Sequence, residues 1–161
     1  MQPSLGDFPV GCNEAAVFGL YSQWRTEGGV SDFSYVWTHC IRADDSEKGS
    51  TPSDAAADGK VFNNFGYVAT NGNIKSDWIG HYKLIFNSNK LINDITASGD
   101  TSQGTLINLA EAKVIRAFCY FELRRDFGDF PLNLKTFTVP ETQIIPKNTV
   151  AQVEAQIIND I

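Results

Sequence analysis

The sequence predicts an all-α fold of stacked helical hairpins joined by long irregular loops. In two long segments the apolar residues recur with the helical period of about 3.6 residues. A short turn with a glycine at each end separates the two segments. A further helical segment closes the chain, and no stretch alternates convincingly with the period of a β-strand. With 161 residues the chain can bury a sizeable core, so we expect a single helical domain.

The first helix is expected to begin at Asn13, a residue that suits an N-cap, and to end before the pair Gly28–Gly29. Its apolar stripe consists of Ala16, Val17, Leu20, Tyr21 and Trp24. A second, shorter helix is predicted over residues 33–41, because Ser31 or Asp32 can cap it. Periodicity alone does not separate helix from strand in this short aromatic run.

Residues 42–72 form a long polar segment, RADDSEKGSTPSDAAADGKVFNNFGYVATNG, in which Gly, Ser, Pro, Asp and Asn are too frequent for a regular element. A loop of this length in a compact domain is usually functional or disordered. Four apolar side chains indicate that part of it packs onto the body of the domain: Val61, Phe62, Phe65 and Tyr67.

The next helix is expected to begin at a Ser76 or Asp77 cap and to reach Ile95. One face carries Trp78, Tyr82, Ile85, Asn89 and Ile92. After a short turn another helix starts near Thr105, and two long helices joined in this way must lie antiparallel. The pair has the size of a tetratricopeptide unit without that repeat's residue spacing, so the fold is tetratricopeptide-like only in a degenerate form.

The helix after this turn organises the chain, and residues 110–131 read AEAKVIRAFCYFELRRDFGDFP. Its second half is apolar nearly all the way round, so we expect it to be buried. Arg124 and Arg125 suit the last turn, Gly128 allows a left-handed end, and Pro131 prevents the helix from resuming. The helix is therefore expected to stop near Phe127.

Several polar or reactive side chains have structural interpretations. Arg116 lies within the apolar helix and is expected to form a buried ion pair or to bind carbonyl groups at a helix end. Asn89 lies on an apolar stripe and is expected to be a structural hydrogen-bonding residue. Cys119 is expected to pack as a small apolar residue. The cysteines number three, which gives no disulfide framework, although a bridge between Cys12 and Cys40 stays possible.

The segment after Pro131 is expected to be extended, because Pro140 and Pro146 bias the preceding residues away from helix. Thr149 then caps a last helix, with Gln152 forming a weak capping box. The apolar face of that helix contains Val150, Val153, Ile157 and Ile161. Because the chain ends on this face, we expect it to be the N-terminal fragment of a longer protein.

Composition excludes some classes of function. The formal net charge is -6 and the 13 Lys and Arg residues are scattered, which argues against nucleic-acid binding. No apolar run approaches the roughly 20 residues needed to span a bilayer, and the first ten residues lack the pattern of a signal peptide. The protein is therefore expected to be cytosolic or to have had a targeting segment removed.

The sequence contains no standard pattern for a catalytic nucleophile, a phosphate-binding loop or a zinc site, since G-x-S-x-G, G-x-x-x-x-G-K-S/T and H-E-x-x-H are all absent. An EF-hand beginning at Asp44 fails, because Lys48 and Ala55 occupy positions that require oxygen ligands. His39 and His81 share no metal-ligand spacing with a cysteine or carboxylate. We expect no enzyme activity, no cofactor and no metal site.

The loop after residue 41 holds the densest set of carboxylates: Asp44, Asp45, Glu47, Asp54 and Asp58. A solvated acidic loop is the simplest interpretation, and recognition of sugar hydroxyls is the functional one. Trp37 immediately precedes this loop and can present an aromatic face, whereas Trp24 and Trp78 lie on core stripes. We hypothesise a ligand surface bordered by six residues: Trp37, Arg42, Asp44, Asp45, Lys48 and Tyr67.

Four segments, in the same order, resemble the SusD/RagB family of surface glycan-binding lipoproteins. They cover most of the chain from Ile41 onward and read IRADDSEKGS, DWIGHYKLIFNSNKLINDI, EAKVIRAFCYFELRRDFGDFPL and IPKNTVAQVEAQIINDI. The resemblance implies a non-catalytic lipoprotein of the bacterial outer membrane that binds oligosaccharides and presents them to a SusC-like, TonB-dependent transporter. The lipid-bearing cysteine of the family has no counterpart here, because Cys12 lies beyond the position of such an anchor and follows no lipobox.

Two other functions stay open at the level of sequence. The same helix pairs would serve a helical-repeat scaffold that binds a protein partner and no glycan. A hydrolase that uses the acidic loop is a weaker third interpretation, because carboxylates so close in sequence do not predict their separation in space.

Overall fold

The computed structural model describes residues 13–31, 33–43, 46–47, 49, 51, 57–136 and 145–161. Its helices in these ranges are α1 (Asn13–Thr26), α2 (Phe33–Tyr35), a π-helical segment (Val36–Ile41), α3 (Ala57–Lys60), α4 (Gly72–Ser98), α5 (Gln103–Phe127) and α6 (Val150–Asp160). The prediction of an all-α fold is confirmed. The chain divides into two compact units, one of residues 1–23 and 82–161 and the other of residues 24–81.

Helices α4 and α5 contain 27 and 25 residues and are joined by the short turn that the glycines predicted. The two apolar stripes of α4 are buried at Leu84, Ile85, Leu91 and Ile95. The carboxylate of Asp100 organises the turn, accepting hydrogen bonds from the Ser102 N–H at 2.8 Å and the Thr105 hydroxyl at 2.7 Å. These bonds satisfy polar groups at the start of α5, where backbone N–H groups lack helical partners.

Helix α4 is capped at Asn71, five residues before Ser76, the earlier of the two predicted caps. The Asn71 carboxamide oxygen accepts hydrogen bonds from the Asn73 N–H at 2.9 Å and the Ile74 N–H at 3.4 Å, so Asn71 caps the helix. Ser76 and Asp77, the predicted caps, lie inside the helix. The prediction failed because the pair Asn71–Gly72 is typical of turns as well as of helix starts.

Helix α5 ends as predicted. Gly128 has a φ of 71°, and its N–H donates to the Arg124 carbonyl at 3.1 Å. The expectation that its second half is buried all round is wrong, because Val114 and Phe121 are 49% and 46% exposed. Together with Ile107 they follow a spacing of seven residues along one side of the helix. The opposite side supplies the core residues Ile115, Cys119, Tyr120 and Leu123.

Arg116 forms the buried ion pair that its position predicted. Its Nε and Nη2 donate to the two carboxylate oxygens of Asp160 at 2.8 and 2.6 Å. Its Nη1 donates to the carboxamide oxygen of Asn89 at 2.7 Å, which confirms Asn89 as a structural hydrogen-bonding residue. These bonds connect α4, α5 and α6 through residues that are at most 6% exposed.

The segment that follows α5 is held on both sides by hydrogen bonds. The Pro131 carbonyl accepts a hydrogen bond from the Tyr82 hydroxyl at 2.7 Å. The Asn133 carbonyl accepts one from the Tyr120 hydroxyl at 2.7 Å and one from the Asn89 carboxamide at 2.6 Å. Burial raises the pKa of both phenols. On the other side Asn148 pairs with Phe130 in an isolated antiparallel bridge. In the described residues 132–136 and 145–147 this segment forms no helix, and its extended conformation stays a prediction.

Helix α6 has the capping box predicted at Thr149 and Gln152, and its Val153 is fully buried. The expectation that Ile161 belongs to the buried face is wrong, because this side chain is 85% exposed. The buried residue near the end of the helix is instead Asp160, which pairs with Arg116. Polar pairing, rather than apolar burial, fixes this end of α6.

The unit of residues 24–81 is built around the buried side chains Val30, Ile41 and Phe62. The predicted helix over residues 33–41 is present, although its last six residues are π-helical. The Ser31 hydroxyl, the proposed cap, donates to the Trp24 and Arg25 carbonyls at 2.7 and 2.9 Å, at the end of α1, and its capping of residues 33–41 stays a prediction. Asp32 lies outside the described residues.

None of the helices in the described ranges is long and apolar enough to cross a membrane. Cys119 is fully buried, as predicted, and burial raises the pKa of its thiol. Cys40 is a free, exposed thiol, and Cys12 lies outside the described residues.

Candidate functional site

Three of the six residues predicted to border a ligand surface are described by the structure. Trp37, Arg42 and Tyr67 all belong to the unit of residues 24–81, and each is half-buried. Asp44, Asp45 and Lys48 lie outside the described residues, so their part in the surface stays a prediction.

The π-helical winding of Val36–Ile41 determines which side chains stand together. A π-helix joins residues i and i+5 by hydrogen bonds, which is the spacing between Trp37 and Arg42, the residue that follows the segment. In an α-helix the same spacing would separate them by roughly 140°. The Thr38 hydroxyl, which is buried, donates to the Ser34 carbonyl at 2.9 Å and keeps the segment's inner side in place. Such π-helical turns occur frequently at functional sites.

The indole of Trp37 lies directly on the backbone of Gly59 in α3. A Cβ atom added at Gly59 would lie 2.7 Å from Cε2 and Cζ2 of the indole, closer than carbon atoms can approach. A side chain at position 59 would therefore force the indole of Trp37 to shift, and glycine lets the ring contact the backbone. This contact orients Trp37 while leaving it half-buried.

A short run of contacts connects Gly59 to Tyr67. The Gly59 carbonyl accepts a hydrogen bond from the Phe62 N–H at 3.3 Å, and the Phe62 ring is fully buried. The ring of Tyr67 stacks on Phe62, with centroids 4.9 Å apart and planes 23° apart. One face of Tyr67 is thus used for packing, and the ring is oriented by the same segment that orients Trp37.

Phe65 is exposed, which corrects the expectation that it packs onto the body. Its side chain is 66% exposed, whereas Phe62 is buried. Phe65 has a φ of 55°, in the left-handed region that favours glycine. The Gly66 N–H donates to the Val61 carbonyl at 2.8 Å and the Phe65 N–H to the Phe62 carbonyl at 3.3 Å, which is the pattern of a Schellman turn.

Sequence reasoning missed the position of Phe65. In the order Phe65–Gly66, sequence rules assign the left-handed position of a helix end to the glycine, whereas the structure has the phenylalanine there. The Asn64 carboxamide oxygen accepts from the Gly66 N–H at 3.0 Å and supports the turn. Left-handed backbone at a bulky residue costs on the order of 1–3 kcal/mol.

The described residues of this unit offer aromatic rings, a guanidinium and exposed amides. An aromatic ring presents apolar area to the CH face of a sugar, and a guanidinium such as that of Arg42 carries N–H groups that donate to hydroxyl oxygens. The side chains of Asn63 and Asn64 are exposed beside Phe65. This combination suits a neutral ligand rich in hydroxyl groups.

Comparison with known proteins gives the family. The SusD-like family described as "Starch-binding associating with outer membrane" matches residues 41–161. The chain belongs to this family. The SusD-like match begins at the last residue of the π-helical segment and includes helices α3 to α6.

Two SusD-like relatives come from Formosa agariphila. SusD-like protein P2 is 28% identical over 149 residues, which are 92% of this chain and 29% of that protein. SusD-like protein P25 is 22% identical over 89 residues, which are 55% of this chain and 17% of that protein. The chain thus spans less than a third of the length of the relatives it matches.

Solved structures of SusD-like proteins share the fold. A laminarin-binding SusD-like protein superposes with a TM-score of 0.78 at 25% identity, over 92% of this chain and 32% of that one. A SusD superfamily protein from Bacteroides thetaiotaomicron gives 0.79 at 23% identity, over 95% and 36%. A structure determined with a xylogluco-oligosaccharide gives 0.71 at 25% identity, over 92% and 28%.

Proposed function

We propose that this SusD-like chain serves in the non-catalytic binding of oligosaccharides at the bacterial cell surface. The observation that carries the proposal is the family match over residues 41–161, in a family described as starch-binding and associated with the outer membrane. Two structural neighbours at 25% identity are described as laminarin-binding and as determined with a xylogluco-oligosaccharide. Binding of a neutral glycan is the function common to these descriptions.

The proposed ligand surface is the one bordered by Trp37, Arg42 and Tyr67, together with the predicted Asp44, Asp45 and Lys48. Gly59 and Phe62 orient the two aromatic rings before any ligand arrives, which lowers the entropy cost of binding. The π-helical winding of Val36–Ile41 supports the pairing of Trp37 with Arg42, because a π-helix joins residues five positions apart. A sugar ring resting on an aromatic face would then have charged hydrogen-bonding groups at its edge.

In the full proposal, the chain is part of a longer lipid-anchored protein that delivers oligosaccharides to a SusC-like, TonB-dependent transporter. The association of the family with the outer membrane supports the cell-surface location. The length of the relatives supports the view that the 161 residues form one part of such a protein. The lipid anchor and the transporter contact follow from the resemblance of the sequence to the SusD/RagB family.

A binding assay paired with a hydrolysis assay tests the proposal. The chain is titrated by calorimetry with a glycan panel of laminarin oligosaccharides, xyloglucan oligosaccharides and starch-derived maltooligosaccharides, and reducing ends are measured after prolonged incubation. We expect saturable binding to at least one member of the panel without release of reducing sugar. Release of sugar would support a hydrolase instead, and absence of binding to every glycan would contradict the proposal and favour a protein-binding scaffold.

A further inference from the structure

The turn of residues 61–66 displays an aromatic ring that the fold itself does not use. Phe65 is 66% exposed, although its neighbours Phe62 and Tyr67 stack together and pack inward. The hydrogen bonds that define the turn come from backbone groups and from the Asn64 side chain, so none of them requires a ring at position 65. The phenyl group therefore contributes little to holding the turn.

The backbone at Phe65 is also unfavourable for any residue except glycine. Its φ of 55° is the left-handed conformation, which a side chain with a Cβ atom adopts at a cost. Among the residues described, Phe65 is the one non-glycine residue with positive φ. Glycine at this position would make the turn more stable, because it occupies the left-handed region without steric penalty. Strain combined with exposure indicates a role for the ring outside the fold.

The chemistry around Phe65 favours a carbohydrate as the partner of the ring. The exposed neighbours Asn63 and Asn64 carry amides that both donate and accept hydrogen bonds, as sugar hydroxyls require. No charged side chain lies in residues 61–74. Val68 is 63% exposed on the same loop and adds apolar area. A protein or membrane contact would require a larger continuous apolar patch than one ring and one valine provide.

We infer that Phe65 is a sugar-stacking residue, whose ring contacts the CH face of a bound glycan while the amides of Asn63 and Asn64 bind hydroxyls at the edge of the same sugar. This inference rests on the proposed function and adds a contact to it. The Schellman turn holds the ring away from the body of the unit, where a sugar can reach its face.

Replacing Phe65 separates a binding role from a structural one, because the two roles predict effects of opposite sign on stability. Phe65→Gly removes the ring and relieves the backbone, so we expect the melting temperature to rise by about 2–4 °C. The affinity for the tightest-binding member of the glycan panel should fall by about three- to tenfold. Phe65→Tyr keeps the ring and should bind within about twofold of the unaltered chain.

The matched control is Phe18→Ala, because Phe18 is 64% exposed and lies on α1. It should leave the glycan affinity unchanged. If the parent chain binds glycan and Phe65→Gly binds it with the same affinity, the role of Phe65 in glycan binding is overturned. The proposed function then stands, and a protein contact is the remaining use of the ring. If both Phe65→Gly and Phe65→Tyr lower the glycan affinity and the melting temperature together, the ring has a structural role. That result would also overturn the sugar-stacking role of Phe65. Failure of the parent chain to bind any glycan would overturn both proposals.

Discussion

Arg116 connects three helices through one side chain that is almost completely buried. Both oxygens of Asp160 accept from it, and its remaining bond goes to Asn89. Gln156 adds a further donor to Asp160 at 2.9 Å. A charge in such surroundings is tolerated because every bond is short and the partner is oppositely charged. Removal of one partner leaves the other charge buried and uncompensated.

Arg116→Ala is expected to lower the free energy of unfolding by about 3–5 kcal/mol, because the Asp160 carboxylate then lacks its counter-ion. Urea denaturation followed by circular dichroism measures this change. The control is Arg124→Ala, which breaks an exposed pair with Glu154 and should cost less than about 1 kcal/mol. The double replacement Arg116→Met with Asp160→Leu should cost less than Arg116→Ala alone. Equal losses in Arg116→Ala and Arg124→Ala would contradict this view of the network.

The carboxylate of Asp100 is expected to titrate at an unusually acidic pH. The hydrogen bond from the Thr105 hydroxyl is the largest cause that lowers its pKa, and those from the Ser102 N–H and hydroxyl add to it. Since its pKa is lower in the folded state, the carboxylate stabilises the fold at pH values above its unfolded pKa of about 3.9. That contribution is lost as the pH falls through the folded pKa.

A carbon-13 NMR titration of Asp100 measures this directly. The parent chain should show a pKa below the ordinary range of aspartate. Thr105→Val removes the strongest bond and should move the Asp100 pKa back toward that range. A parent pKa at or above the ordinary value would show that the turn does not hold the carboxylate as described.

At the scale of elements, the ends of helices were predictable where a cap has a specific chemistry. Helix α5 ends at Gly128, as the sequence indicated. Helix α6 begins at the capping box of Thr149 and Gln152, which the sequence also indicated. The start of α4 was misplaced because Asn71–Gly72 fits both a turn and a cap, and the choice depends on tertiary contacts. Local sequence also carries no signal for π-helical winding, so the form of the segment Val36–Ile41 became visible only in three dimensions.

Burial was less predictable than helix position. Periodicity indicates which side chains share a face, but it does not show how many faces are covered by neighbours. Val114 and Phe121 were expected to be buried and are about half exposed for this reason. Similarly, Phe65 is apolar and close to buried residues in sequence, while the left-handed turn directs it to solvent.

Helix α4 contains a glycine, Gly80, at the point where the turn of residues 27–30 comes close to the helix. A Cβ atom at Gly80 would collide with the Gly28 carbonyl oxygen and lie 3.1 Å from Cγ2 of Val30. Gly80→Ala is therefore expected to destabilise the protein by about 1–3 kcal/mol despite alanine's higher helix propensity. Thermal or urea unfolding measures the change.

The control is the same substitution at Gly104 in α5, where a Cβ atom would meet nothing within 4 Å. Gly104→Ala should stabilise the protein by about 0.5–1 kcal/mol. Opposite signs for two Gly→Ala changes within helices would demonstrate the close contact. Stabilisation by Gly80→Ala would contradict it.

At the scale of the whole molecule, the buried polar network and the proposed ligand surface lie in different units. Residues 82–161 contain the Arg116 network, the hydrogen-bonded segment after α5 and most of the family's recognisable sequence. Residues 24–81 contain the described members of the proposed ligand surface and the exposed Phe65. The sequence identified the family mainly through the first unit. The ligand chemistry is proposed in the second, where irregular backbone makes prediction from sequence least secure.

The central claim is that glycan binds at the surface around Trp37, and the chain's three tryptophans allow one direct measurement. Nitrogen-15 NMR of the indole N–H groups is recorded during titration with the tightest-binding member of the glycan panel. We expect the Trp37 signal to shift most, while those of Trp24 and Trp78 change little. A largest shift at Trp24 or Trp78, or saturated binding that leaves the Trp37 signal unmoved, would contradict it.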